Sequence, residues 1–234
     1  MSTALGTKSV YLAEHSILKG YDFVCYDPEC VSDLFEKAAT DCLEDFIKLE
    51  FSHWFDDANT AINYIRRCNE GKNHKILMVG SSMGGWISLS LATKYPELVK
   101  GIVLIAPAVN FMRKSYLKWY NDCTLAQQKE LDLDKTVIMK SPYGEIPFSK
   151  RFCESSREVE LDLTKPIKVN VPVRILHGVQ DESVPYENSI SLMKLLQSED
   201  VDLLYRKAGD HRLCGKVDLQ LLSDTLDKMI KNLE

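Results

Sequence analysis

Gly80-Ser81-Ser82-Met83-Gly84 fits the pattern G-x-S-x-G, and the chemistry that pattern permits is nucleophilic attack by its central serine. A strand-like apolar run over 75–80 leads into it and a helix-like run over 83–93 leaves it. So tight a turn strains the backbone of Ser82 and requires small flanking residues, because neighbouring backbone passes close to them. It also lifts the hydroxyl clear of the sheet at a helix N-terminus, where the Met83 N–H can meet a developing oxyanion. Ser81 is the rival hydroxyl, but in the x position it points away from the apex.

A serine needs a base to take its proton, and the base needs an orienting carboxylate. Two further stretches that follow strand-like runs supply candidates: His177-Gly-Val-Gln-Asp181-Glu-Ser-Val-Pro185 and Ala208-Gly-Asp-His211-Arg. His211, just past the last strand and after the turn-forming Gly209-Asp210, is the expected base. Asp181 is the expected orienter. Glu182 faces the other side of its turn, and Asp210 is too close in sequence to reach its neighbour's ring. His177, at a strand end, reads as structural. The order Ser82, Asp181, His211 is that of an α/β-hydrolase.

The elements that must position these residues alternate between strand and helix. Apolar spacing predicts a helix over 7–18 closed by Gly20, a short buried strand over 21–26, and one long helix over 41–68, or two broken near Ser52. In that long pattern Asp41-x-x-Glu44 resembles a capping box, the aromatics read as core, and His53, like His15 in the first helix, reads as a surface or packing residue. Strands follow over 101–106, 171–177 and 201–207, with helices over 186–197 and 216–231. Such an alternation specifies a mostly parallel sheet with right-handed crossovers and helices on both faces. Active sites of such sheets lie at the carboxyl ends of the strands. Residues 108–166 break the alternation, and an insertion of that length is expected to form a helical cap over the site.

Length and composition bound the function. With 234 residues, 45% hydrophobic and 27% charged, the chain reads as a single globular domain over 1–234. A net charge of −5 and a pI near 5.6 exclude a nucleic-acid surface and a polybasic membrane anchor. The longest apolar runs reach about eight residues, far below the roughly 20 needed to span a bilayer. Seven scattered cysteines without C-x-x-C pairing or metal-ligand spacing indicate a reduced compartment and no metal site. The N-terminal residues carry neither a signal peptide nor a transit peptide and by themselves indicate the cytoplasm.

Gly80-Ser-Ser-Met-Gly-Gly-Trp86, Val169-Asn-Val-Pro-Val-Arg-Ile-Leu-His-Gly178, Asp200-Val-Asp-Leu-Leu-Tyr-Arg-Lys207 and Asp210-His-Arg-Leu213 together closely resemble the mitochondrial palmitoyl-protein thioesterases of the α/β-hydrolase-domain superfamily, which also act as acyl-glucuronide esterases. The similarity runs over most of residues 75–233. It implies an α/β-hydrolase fold, cofactor-free hydrolysis of acyl thioesters on proteins and of small acyl esters, and a mitochondrial location. The elbow is shared with general carboxylesterases and lysophospholipases, which is the alternative activity.

Family members begin with an antiparallel hairpin and a strand whose Gly-containing loop supplies a second oxyanion N–H. Residues 1–6 resemble only the tail of that loop, so the hairpin and one central strand are expected to be missing. That leaves a gap between the strands at 21–26 and 75–80, and loss of one oxyanion donor typically costs on the order of 100- to 1,000-fold in rate. A catalytically impaired, shortened homologue is the third reading. Residues 27–33 also lack the glycines that similar hydrolases place after that strand, and 34–50 read as inserted helix.

Overall fold

The computed structural model describes residues 4–31, 37–38, 40–41, 43–68, 75–141 and 144–233. The chain divides into two compact units, Val10–Phe23, Ile65–Val109 and Leu161–Glu234 in one, and Met1–Ser9, Val24–Tyr64 and Asn110–Glu160 in the other.

The first unit is built on four strands, β1 (Ile76–Ser81), β2 (Val99–Ile105), β5 (Val173–Gly178) and β6 (Val201–Arg206). They form a parallel sheet in the order β1-β2-β5-β6. Every residue of β5 and all but one of β2 are buried, whereas β1 and β6 carry intermediate positions. Continuous apolar runs belong in the middle of a sheet covered on both faces, and these two occupy it.

Alternation along β2 assigns the faces. Val103 and Ile105, with Leu176 of β5, pack on Leu222, Leu226 and Met229 of α9 (Lys216–Leu233) and on Leu12 of α1 (Thr7–Lys19). Each such side chain contributes about 1.5–3 kcal/mol when fully buried. On the opposite face, Leu104 meets α4 (Met83–Lys94) close to Gly85. Helix α8 (Glu187–Leu195) reaches that face through Ser189, whose hydroxyl meets His177.

Helix α1 ends as expected at Gly20, whose φ of 74° lets the N–H of Tyr21 bond the carbonyl of Ser16. Its inner face is more polar than the apolar spacing suggested. The Tyr11 hydroxyl meets Ser223, while His15 and Lys19 both reach Asp227. Ile17 and Leu18 are exposed.

The expected strand at 21–26 does not form; these residues are irregular, and Tyr21, Phe23 and Val24 are exposed. A β ladder needs a neighbouring edge, and among the described residues no strand pairs with this segment. Local β propensity cannot hold a strand alone. The expected gap inside the sheet therefore does not arise: among the described residues the sheet ends at β1, which pairs on one side with β2.

In the second unit the 41–68 pattern resolves into two helices, α2 (Leu43–Lys48) and α3 (His53–Cys68), broken next to Ser52 as one of the two readings required. The capping-box residues Asp41 and Glu44 flank residue 42, which lies outside the described residues, as do residues 32–36 and with them the start of the expected inserted helix. Phe46, Phe51 and Trp54 close on Phe152 with ring centroids 5.1–5.6 Å apart, in tilted or edge-on contacts. His53 lies at the surface against Glu29.

Residues 108–166 contain α5 (Phe111–Asp122), α6 (Leu125–Asp132), α7 (Lys150–Ser155) and a short 3-10 helix, Ser156–Val159. They also hold an antiparallel hairpin, β3 (Val137–Ser141) with β4 (Gly144–Phe148), which corrects the expectation of a purely helical insertion. The alternation Val137, Met139 inward and Ile138, Lys140 outward is a period-two pattern hidden among the surrounding charges. Thr124 and Gln127 form a reciprocal capping box on α6, and Ser149 caps α7.

Candidate active site

Ser82 stands between β1 and α4 with φ 54° and ψ −119°, a conformation that ordinary side chains avoid. Its backbone is held from β2: the Ser82 N–H donates to the Ile105 carbonyl at 2.8 Å, and its carbonyl accepts from the Ala108 N–H at 3.0 Å. The hydroxyl does not cap its own helix, which leaves it available for another partner.

The small-residue requirement falls where backbone crosses backbone. A Cβ at Gly80 would lie 2.3 Å from the Gly84 carbonyl oxygen, and one at Gly85 would lie 2.9 Å from Pro107. At Gly84 it would meet nothing within 4 Å. The expectation that Gly84 must be small is therefore corrected; its backbone, not the space beside its Cα, is what Gly80 approaches. Gly84→Ala should fold with unchanged or slightly raised thermal stability, since alanine is favoured in a helix by about 0.5–1 kcal/mol. Gly80→Ala should lower the melting temperature clearly in the same measurement.

His211 Nε2 lies 3.0 Å from Ser82 Oγ, and His211 Nδ1 lies 2.7 Å from Asp181 Oδ2. The structure thus brings together the three side chains singled out by chain order. Ser81, the last residue of β1, stands apart from this series. Asp210 turns its carboxylate back onto the N–H groups of Arg212 and Leu213, at 3.0 and 2.9 Å, and so shapes the His211 loop instead of orienting the ring. Glu182 is exposed. Met83 is the first residue of α4, so its N–H belongs to the set without an intrahelical acceptor. Of residues 1–6, where the second oxyanion donor was sought, 1–3 lie outside the described residues.

The Asp181 side chain is fully buried. Burial alone would raise its pKa, but hydrogen bonds from His177, His211 and the Val184 N–H outweigh that and hold the carboxyl well below the usual carboxylate range. Oδ1 accepts from the N–H groups of Ser183 and Val184, both at 2.8 Å, and Oδ2 accepts from His177 Nε2 at 3.0 Å as well as from His211. With Oδ2 anionic, the His211 proton sits on Nδ1, which frees Nε2 to accept from the serine.

The loops carrying Asp181 and His211 touch through glycine. A Cβ at Gly178 would lie 2.3 Å from the Gly209 carbonyl oxygen, and the Gln180 N–H donates to that same oxygen at 2.9 Å. Leu213, with φ 44°, anchors the second loop in the core beneath α9. Sequence reasoning missed this crossing and the link from His177 to Asp181; the glycines at the end of β5 and after β6, and the i, i+4 spacing of His177 and Asp181, were its only signals.

A sequence family described as serine aminopeptidase, S33, matches residues 49–132. The chain is 36% identical over 162 residues to the mitochondrial palmitoyl-protein thioesterase ABHD10 of Mus musculus, a match that covers 67% of this chain and 52% of that relative. The backbone of this chain superposes on alpha/beta hydrolase domain-containing protein 10 from mouse with a TM-score of 0.73 at 27% identity, covering 100% of this chain and 87% of that one. The chain is an α/β-hydrolase family member. A protein of Agrobacterium vitis S4 described as a hydrolase superposes on this chain with a TM-score of 0.76 at 25% identity, over 98% of this chain and 84% of that one. The chain spans about half the length of the curated relatives it matches. Among its described residues no group of three or more His, Cys, Asp or Glu side chains is arranged to hold a metal ion, and no helix is long and apolar enough to cross a membrane.

Proposed function

We propose that this hydrolase cleaves acyl thioesters and related acyl esters through an acyl-enzyme on Ser82. The observation that carries the reading is the hydrogen-bonded series from Ser82 Oγ to His211 Nε2 at 3.0 Å and from His211 Nδ1 to the buried Asp181 at 2.7 Å. As Ser82 Oγ attacks the acyl carbonyl, His211 Nε2 takes its proton, and Asp181 stabilises the imidazolium that forms. The carbonyl oxygen becomes an oxyanion at the N-terminus of α4, where the Met83 N–H donates to it. Collapse breaks the bond to the leaving sulfur or oxygen, which leaves with the proton from His211. Water then repeats the two steps on the acyl-serine, and the carboxylic acid departs.

Thioesters of long acyl chains on protein cysteines are assigned as substrates because the relatives are named palmitoyl-protein thioesterases. Acyl glucuronides are the small-molecule extension, and a mitochondrial site of action follows from the same names. A fluorophosphonate probe should label the chain stoichiometrically at Ser82, and Ser82→Ala should abolish labelling. Absence of labelling in folded protein would sink the reading. Comparing kcat/KM for a palmitoyl thioester with that for a p-nitrophenyl ester then separates a thioesterase from a general carboxylesterase.

A further inference from the structure

His177 is the penultimate residue of β5 and fully buried. Its Nε2 lies 3.0 Å from Asp181 Oδ2 and 3.1 Å from the Val184 carbonyl oxygen. Both partners only accept, so the ring proton must sit on Nε2. Nδ1 lies 2.7 Å from Ser189 Oγ, a buried hydroxyl on α8 that can donate to it. The neutral Nε2–H tautomer satisfies every polar atom of this arrangement. A histidine that only filled the core would have no reason to aim its N–H at the very oxygen that His211 uses.

We infer that His177 is a positioning residue for the hydrolysis proposed at Ser82, holding the Asp181 carboxylate and dividing its charge so that His211 is oriented without being held too firmly as the imidazolium. Ser189 acts one step further out, by fixing the His177 tautomer. Two N–H groups hold Oδ1 and two imidazoles hold Oδ2, so the carboxylate cannot rotate without breaking four bonds. The groups that face Asp181 are His177 from β5, His211 from the loop after β6, and the N–H groups of Ser183 and Val184 from its own turn. From α8, Ser189 approaches only through His177, while Glu187 acts on Tyr186 and Tyr205.

Without the His177 donor, Oδ2 turns all of its charge toward His211. The imidazolium is then held more strongly, and the acid limb of the pH profile of kcat/KM moves to higher pH.

The test compares His177→Leu, which removes the donor, with His177→Gln, which can return an N–H near the Nε2 position. Activated-ester kinetics across pH are read beside fluorophosphonate labelling and thermal unfolding. His177→Leu should lower kcat on the order of 10- to 100-fold, as expected for a misplaced catalytic group, with KM changed less than about twofold and the acid limb displaced upward. His177→Gln should restore most of both. A folded His177→Leu with unmoved kcat and acid limb overturns the inference, as does a Gln variant indistinguishable from Leu. If His177→Leu does not fold, Ser189→Ala decides: a smaller upward displacement of the acid limb supports the inference, and an unchanged profile overturns it. Failure of the wild-type chain to label at Ser82 overturns the proposed function instead, so the two failures are distinguishable.

Discussion

Asp181→Asn should leave the chain folded and lower kcat on the order of 10,000-fold. The two N–H groups of Ser183 and Val184 hold Oδ1, so they accept the amide oxygen of an asparagine in that place and turn its NH2 toward the Oδ2 position. There it faces the N–H groups of His177 and His211, donor against donor. His211 relieves the conflict by moving its proton to Nε2, the atom that must accept from Ser82. The base is then present and correctly placed but in the wrong tautomer. Burst kinetics with an activated ester check this: acylation should slow while the melting temperature changes little. Near-wild-type acylation would show that Asp181 does not set the tautomer.

Gly178→Ala should be the more damaging of the two for the fold. The new Cβ would lie 2.3 Å from the Gly209 carbonyl oxygen, 2.4 Å from its carbon and 2.5 Å from the Asp210 carbonyl oxygen. All three atoms are backbone, so no side chain can swing aside. Overpacking of this kind costs about 1–3 kcal/mol, and relief comes only by parting the two loops. Parting them stretches the 2.7 Å bond between Asp181 and His211, and a displacement of about 1 Å can cost on the order of 100-fold in rate. Thermal unfolding and the fluorophosphonate labelling rate should therefore both fall. A normal labelling rate with lowered stability would separate the loop contact from the site.

Much of the site was legible because each functional residue follows a strand whose pattern is strong. Gly80-Ser81-Ser82-Met83-Gly84 joins an apolar strand to a helix, and the ends of β5 and β6 fall within two residues of their expected places. The strand at 21–26 was misread because its residues have the right composition, while pairing depends on an edge that composition cannot report. The hairpin β3-β4 was missed for the opposite reason: its alternation is regular but brief. At Gly84 the expected steric reason fails, since small size matters at Gly80 and Gly85, where chains cross. His177 was read as structural because its partner depends on a buried geometry that spacing does not reveal.

The hydrogen bonds of the site join residues at very different separations along the chain: 30 between Asp181 and His211, 129 between Ser82 and His211. Loop-closure entropy grows with the logarithm of that separation, so the shorter closure costs about 1.3 kcal/mol less. The carboxylate and imidazole, at the ends of the adjacent strands β5 and β6, are therefore the pair with the smaller closure cost. The bond to Ser82 carries the larger closure cost, and its geometry depends on β1 and β2 standing in the same sheet as β5 and β6.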